Sequence, residues 1–192
     1  DIVIPDQFID RTHHRPATFF NEGVVAHVNM GDPFCNNLSN ILGDVSEKII
    51  SGGRQLHRGG TYLAMEGPAF STRAESNLYR KWGCSIIGMT NHTEARLAKE
   101  AEIAYSSLSM VTDYDCWHDT QQEVSVEMVI KNLKINTDVA NKIVYETAKI
   151  VCKERPESFS HTSLSNGLIT SKDNVSKETK SKVKIFTDNY WL

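Results

Sequence analysis

The sequence lacks the features that mark several classes of protein. No apolar run in its 192 residues approaches the roughly 20 residues of a membrane-spanning helix. The formal net charge is only −3, so there is no electrostatic reason to expect a nucleic acid or an anionic membrane as a partner. With 40% hydrophobic and 23% charged residues, the composition predicts an ordinary soluble globular chain, long enough for one core.

Cysteine is sparse and scattered. There is no Cys-x-x-Cys pair, and the four cysteines lie far apart, at Cys35, Cys84, Cys116 and Cys152. We therefore expect free thiols in a reducing compartment, which favours the cytoplasm. No pair of cysteines or histidines has the spacing of zinc ligands, so no metal is expected.

The chain opens on an apolar strand pattern at residues 1–9. The opening has no initiator methionine and neither the basic region nor the cleavage site of a signal peptide. A chain that opens inside a strand is expected to be part of a longer polypeptide.

Hydrophobic periodicity predicts strands and helices in alternation. Helical spacing and capping residues predict helices at residues 38–50, 71–82, 93–103, 124–152 and 172–184. Ser71 or Thr72, with Glu75 near the capping-box position, is the predicted N-cap of the second helix, and Thr93 is that of the third. Apolar or alternating runs predict strands at residues 1–9, 24–28, 61–65, 84–89 and 105–111. This order predicts an α/β layered fold in one domain, residues 1–192, with a C-terminal helix and apolar tail at residues 155–192.

Polar or adaptable side chains follow three of the predicted strands. They are Glu66, then Met89 and Thr90, then Asp113 and Asp115. Ligands of α/β folds bind at the carboxyl ends of strands, so these residues are expected to meet at a binding site.

Asp113 and Asp115 are the most informative pair. In an extended segment, side chains two residues apart share one face. Two acids on one face suit a ligand that offers two nitrogens, such as the N7 and the 6-amino group of adenine. An acidic turn is the alternative, because aspartate is common where strands end.

Five segments carry a family resemblance: DQFIDRT at 6–12, HVNMGDPFC at 27–35, MEGPAFSTRAES at 65–76, GMTNHTEARLAKEAEI at 88–103 and MVTDYDCW at 110–117. Together they resemble the methylthioadenosine phosphorylases of the purine nucleoside phosphorylase superfamily. The resemblance thins after Cys152. It implies an α/β fold with a mixed central sheet flanked by helices, a homotrimer with sites near subunit boundaries, and no cofactor besides the co-substrate phosphate.

The resemblance also implies a reaction. Phosphate attacks C1' of methylthioadenosine, and adenine departs with negative charge on its ring. A proton or strong hydrogen bond at N7 relieves that charge, and Asp113 matches this catalytic position. Asp115 matches the acceptor of the 6-amino group, and a carboxylate facing a 6-oxo group would be repulsive.

Further substrate contacts carry over from the family. Phe70 resembles the ring that packs against the base, Ser71 the neighbour that contacts its edge, and Tyr114 another substrate-binding position. Met89 resembles the methionine under the ribose, and Thr90 a hydroxyl that contacts phosphate. Taken without the family, Phe70 and Met89 are ordinary core residues and Ser71 an ordinary helix cap.

Four positions match the sulfur end of the substrate. His27 resembles the histidine that closes this side from a neighbouring subunit, and Val126, Val129 and Ile130 match the apolar wall around the methylthio group. A lone histidine in an apolar strand and an apolar helical stripe are more often purely structural.

The match departs from the family at its N-terminal third. That part carries a glycine-rich phosphate loop and an Arg-His pair, and neither has a counterpart here. The glycine pairs at 52–53 and 59–60 do not lead from a strand into a helix, so turns are expected there. Two alternatives stay open: a non-catalytic purine-binding half or scaffold, and a phosphorylase for another purine nucleoside.

Overall fold

The computed structural model describes residues 1–118 and 125–191. The strands in these residues are β1 (Ile2–Ile4), β2 (Gln7–Arg11), β3 (Leu56–Arg58), β4 (Thr61–Met65), β5 (Cys84–Gly88) and β6 (Ser109–Met110). The α-helices are α1 (Asn36–Ile49), α2 (Arg73–Lys81), α3 (His92–Glu100), α4 (Val126–Lys153) and α5 (Lys177–Thr187). Short 3-10 turns lie at Phe159–Thr162 and Lys172–Asn174.

The strands form one mixed sheet and one parallel sheet, each of three strands. In the first, β1 pairs with β3 in parallel and with β6 in antiparallel orientation. In the second, β4 lies between β2 and β5, and all three run parallel. The predicted α/β fold with mixed sheet structure flanked by helices is therefore confirmed.

The predicted first strand is in fact two strands that belong to different sheets. Pro5, which has no backbone N–H to donate, separates β1 from β2. The backbone N–H of Asp6 then donates to Gly60 O at 3.2 Å, and the Gly60 N–H donates to Asp6 Oδ1 at 3.0 Å. Gly60 has φ +105, which few other residues adopt. The link from β1 to β2 and the link from β3 to β4 therefore run side by side from the first sheet into the second.

Two apolar cores hold the layers together. In the first core, residues of β1 pack with residues of α1 and α4, namely Ile2, Ile4, Leu42, Val45 and Ile143. A second core joins residues 20–24 to the C-terminal segment through Phe20, Val24, Leu164, Val175 and Val183. Each fully buried leucine, isoleucine, valine or phenylalanine contributes about 1.5–3 kcal/mol to folding. The C-terminal part is therefore packed into the fold.

The helix predictions at 38–50, 71–82 and 124–152 are confirmed as α1, α2 and α4, although position 124 itself lies outside the described residues. α2 begins with a full capping box, in which Thr72 and Glu75 exchange hydrogen bonds. The predicted cap at Thr93 is wrong, because α3 begins at His92 and follows Asn91 as its cap.

Two strand predictions are wrong in extent. Residues 24–28 contribute only an isolated bridge between Ala26 and Leu168. Of residues 105–111, only the two residues of β6 pair with a neighbouring strand. Among residues 1–118 and 125–191, no helix is both long and apolar enough to cross a membrane.

Candidate functional site

Of the three polar strand ends that the sequence predicted to meet, two lie together and one does not. The end that carries the two aspartates follows β6 of the first sheet. In the second sheet, the parallel strands β4 and β5 bring their carboxyl ends to one edge, as predicted. The Arg15 guanidinium joins these ends through backbone carbonyls. It donates to Met89 O at 2.5 Å, to Glu66 O at 2.8 Å and to Met65 O at 3.2 Å. No spacing or motif in the sequence pointed to Arg15, because its hydrogen-bond partners are backbone carbonyls 50 or more residues away.

Met89 and Thr90 follow β5 at this edge. Gly67 has φ +74, in the left-handed region that favours glycine, and the Met89 Sδ lies 2.7 Å from the position that a Cβ on Gly67 would occupy. The Thr90 hydroxyl lies 3.4 Å from the hydroxyl of Tyr62, and Thr90 is exposed. The edge therefore presents a thioether and a hydroxyl side by side.

Glu66 is held as a carboxylate at the end of β4. The backbone N–H of His13 donates to Glu66 Oε2 at 2.6 Å, and this hydrogen bond lowers the pKa of Glu66, with Arg15 adding to the effect. Arg15 Nε lies 3.7 Å from Oε1. Glu66 thus orders the loop after β2 against the end of β4.

A histidine is buried beneath the same edge. His92 is 2% exposed, and its Nδ1 lies 3.2 Å from the hydroxyl of Thr12. Its Nε2 lies 3.0 Å from Asp10 Oδ2 but does not meet hydrogen-bond geometry there. Burial lowers the pKa of His92, and Arg96 and Arg15 act in the same direction against Asp10 and Glu94. The neutral imidazole is therefore the favoured form.

Asp113 and Asp115 lie in a turn and not on one face of an extended strand. The backbone N–H of Asp115 donates to Asp113 Oδ1 at 2.9 Å, and the Thr112 hydroxyl donates to Asp113 Oδ2 at 2.6 Å. Asp115 has φ +60, in the left-handed region. The alternative of an acidic turn was correct for the backbone, yet the turn still links the two acids directly.

Asp115 connects this turn to α2. Its Oδ2 accepts from the Ser76 hydroxyl at 2.5 Å, and its Oδ1 accepts from the backbone N–H of Cys116 at 2.8 Å. The thiol of Cys116 in turn lies 3.5 Å from Ser71 O. The backbone of Ser71 thus contacts Cys116, the neighbour of Asp115, while the Ser71 hydroxyl lies 3.5 Å from Met65 Sδ. The structure adds Ser76, which the sequence motifs included without assigning it a role.

An open cavity of about 380 Å³ borders the acidic turn. Asp113, Tyr114 and Asp115 line it on one side, and Met128 and Asn132 of α4 line it on the other. α4 also holds the turn in place, because the side-chain amide of Asn132 donates to the Thr112 carbonyl. The cavity offers carboxylate acceptors beside a thioether, which suits a ligand with both polar and apolar parts.

The other predicted substrate-binding residues differ in how far they are exposed. Phe70 and Tyr114 are 51% and 60% exposed. Val126 and Ile130 are exposed on the first turns of α4, and Val129 is half-buried. These apolar side chains are available for contact, and their assignment to a substrate stays a prediction.

His27 lies in a different part of the chain. Its backbone N–H donates to Gly167 O at 2.7 Å, next to the bridge between Ala26 and Leu168, and the residue is exposed. That position places His27 on the surface formed with the C-terminal segment. Its assignment to a neighbouring subunit's site stays a prediction.

The described cysteines are all free thiols. Within residues 1–118 and 125–191, no cluster of three or more histidine, cysteine, aspartate or glutamate side chains is placed to hold a metal ion.

Comparison with known proteins identifies the family of the chain. The S-methyl-5'-thioadenosine phosphorylase of Prochlorococcus marinus is 64% identical over 191 residues, which cover 100% of this chain and 61% of that protein. Its counterpart in Aspergillus fumigatus is 44% identical over 197 residues, which cover 100% of this chain and 58% of that protein. The chain thus spans about three fifths of the length of these relatives.

Solved structures agree with these sequence relatives. A methylthioadenosine phosphorylase sourced from an antarctic soil metagenomic library matches with a TM-score of 0.91 and 45% identity, over 97% of this chain and 65% of that one. A Schistosoma mansoni methylthioadenosine phosphorylase in complex with adenine matches with a TM-score of 0.75 and 26% identity, over 98% and 65%. The sequence profile of the phosphorylase superfamily matches residues 1–149, and the chain belongs to that superfamily.

Proposed function

We propose that this chain forms the purine and methylthio side of an S-methyl-5'-thioadenosine phosphorylase. The observation that carries the proposal is the hydrogen-bonded turn in which Asp113 and Asp115 border an open cavity. The names of the relatives, including one whose structure holds adenine, support the same substrate.

In the proposed reaction, phosphate attacks C1' of methylthioadenosine and the bond from C1' to the purine N9 breaks. The products are adenine and 5-methylthioribose 1-phosphate. As the bond breaks, negative charge grows on the purine ring, and a proton shared between Asp113 and N7 stabilises that charge. The contacts from Thr112 and the Asp115 backbone fix the Asp113 carboxyl for this role.

Asp115 serves the other edge of the base. Its carboxylate accepts a hydrogen bond from the 6-amino group, and Ser71 contacts the edge of the base. Phe70 and Tyr114, both exposed in the described structure, pack against the purine face. A 6-oxo purine would place a carbonyl oxygen against this carboxylate, so adenine is favoured.

The strand-end edge takes the sugar and phosphate. Met89 packs under the ribose, and the Thr90 hydroxyl donates to phosphate. Arg15 is occupied by three backbone carbonyls, so it orders this edge and does not itself bind the anion. Phosphate enters as a co-substrate, and no cofactor takes part.

Subunit boundaries complete the site in this proposal. Val126, Val129 and Ile130 contact the methylthio group, and His27 reaches the site of a neighbouring subunit in a homotrimer. An apolar wall favours S-methyl over a 5'-hydroxyl, because a buried hydroxyl there would have no partner.

A phosphorolysis assay tests the function. Adenine release from methylthioadenosine is followed with and without phosphate, using the protein purified from its natural source, with inosine as the parallel substrate. We expect phosphate-dependent adenine release and much slower turnover of inosine. Faster turnover of inosine would indicate another purine nucleoside phosphorylase. Binding of methylthioadenosine without turnover would indicate a non-catalytic purine-binding protein.

A further inference from the structure

Ser76 holds the carboxylate that the proposed function assigns to the 6-amino group of adenine. Ser76 is 1% exposed, and its hydroxyl lies 2.5 Å from Asp115 Oδ2. We propose that Ser76 is a positioning residue whose hydrogen bond to Asp115 sets the preference for 6-amino over 6-oxo purines. This inference rests on the proposed function, because it concerns the same site.

The contacts of Asp115 define what else it can bind. Oδ1 receives the backbone N–H of Cys116 at 2.8 Å, and a backbone N–H can only donate. With Ser76 donating to Oδ2, each carboxylate oxygen receives one hydrogen bond from the protein. An ionised carboxylate has about four acceptor sites, so sites remain on both oxygens. These sites attract a donor such as an amino group and repel a carbonyl oxygen.

The backbone of Ser76 is held in place by the first turn of α2. Its backbone N–H donates to Thr72 O at 2.9 Å, and Thr72 and Glu75 form the capping box of the same turn. The Ser76 hydroxyl therefore approaches Asp115 from a part of the helix that is ordered independently of the acidic turn.

The acidic turn alone leaves the Asp115 side chain less constrained. The backbone of Asp115 is set by its φ of +60 and by its N–H bond to Asp113, but neither fixes the torsion of the carboxylate, and the Cys116 N–H holds only Oδ1. The terminal torsion of an aspartate side chain has broad energy wells. Removal of the Ser76 hydroxyl would therefore free one carboxylate oxygen to turn away from the base.

The test compares two substrates that differ only at the 6-position, methylthioadenosine and methylthioinosine. For Ser76→Ala we expect the ratio of their kcat/KM values to fall about 10-fold to 100-fold, the range for a hydrogen bond to a charged group. We expect kcat/KM for methylthioadenosine to fall and kcat/KM for methylthioinosine to stay the same. Ser76→Thr, which keeps the hydroxyl, restores the ratio.

Ser46→Ala is the matched control. Ser46 is also a fully buried helical serine, but its hydroxyl donates to Leu42 O at 2.7 Å within α1. We expect its ratio to equal that of the unaltered protein. Ser76→Cys, which keeps the volume with a weak donor, gives the same comparison where the alanine variant does not fold.

Two results would overturn the inference alone: an unchanged ratio in Ser76→Ala and Ser76→Cys, or equal losses on both substrates. If the unaltered protein binds purines without turnover, the same ratio is measured from the dissociation constants of adenine and hypoxanthine. An unaltered protein that neither turns over a nucleoside nor binds either base overturns the proposed function, and the inference with it.

Discussion

At the scale of single residues, the chemistry depends on how the two acids are held. Asp113 has donors on both oxygens, from Thr112 and from the Asp115 backbone, so its carboxyl group is fixed before any ligand arrives. A group fixed in this way acts on the charge that develops during the reaction and contributes less to ground-state binding.

Replacement of Asp113 therefore separates turnover from affinity. In the active enzyme, we expect Asp113→Ala to lower kcat about 100-fold to 10,000-fold, the usual contribution of a general acid, while adenine affinity changes far less. Single-turnover kinetics and calorimetric binding of adenine measure the two quantities. Equal losses in rate and affinity would contradict the assignment of Asp113 as the acid.

A second prediction at the scale of single residues concerns His92 and the pH dependence of the free energy of unfolding. Because burial lowers its pKa in the folded state, the unfolded chain binds the proton more readily. The free energy of unfolding should then fall as the pH drops below the unfolded pKa of about 6.5, by at most about 1.4 kcal/mol per pH unit for one proton.

Variants of two histidines test this dependence. Urea unfolding between pH 7 and pH 5 should give a flatter profile for His92→Gln than for the unaltered chain. His14→Gln changes an exposed histidine and is expected to keep the original slope. Parallel profiles for His92→Gln and the unaltered chain would show that His92 binds its proton equally well in the folded and the unfolded chain.

At the scale of secondary-structure elements, the sequence correctly predicted the helices, because helix formation depends mainly on residues that are close in the chain. α1 and α2 follow from apolar spacing and capping residues, and the capping box of Thr72 and Glu75 was visible in the sequence. A strand needs a partner, and partners are remote in sequence. Residues 24–28 have an apolar pattern, but their neighbour at Leu168 supplies a single bridge.

The candidate site shows the same limit. The ends of β4 and β5 lie together as predicted, because these strands are parallel neighbours. The end that carries Asp113 and Asp115 follows β6, which pairs antiparallel with β1 in the other sheet. The sequence did not predict the left-handed backbone of Asp115 or the contact of its carboxylate with Ser76, which is 39 residues away in the chain. Arg15 was missed because it binds carbonyl groups, which every residue carries.

The start of α2 makes a prediction at this scale. Thr72→Ala removes the side-chain acceptor for the Glu75 N–H and is expected to lower the free energy of unfolding by about 1 kcal/mol. Thr72→Ser keeps the cap and is expected to stay close to the unaltered chain. Chemical denaturation with both variants measures the difference, and equal stability of all three chains would mean that the cap contributes nothing to folding.

At the scale of the whole molecule, one face of α4 exposes several apolar side chains. Val126, Ile130 and Leu133 of α4 are 59%, 47% and 37% exposed, and their spacing puts them on one face. Contiguous apolar surface of this kind marks sites of association.

We therefore expect the 192-residue chain to self-associate in solution, with a sedimentation coefficient that rises with protein concentration. Burial of a leucine or isoleucine side chain is worth about 1.5–3 kcal/mol, so Ile130→Gln with Leu133→Gln should weaken association at least about 10-fold. Lys131→Gln with Lys134→Gln changes exposed charged positions of the same helix and serves as the control. A chain that sediments as a monomer at every concentration and unfolds in one cooperative thermal transition would show that this face is stable in water without a partner.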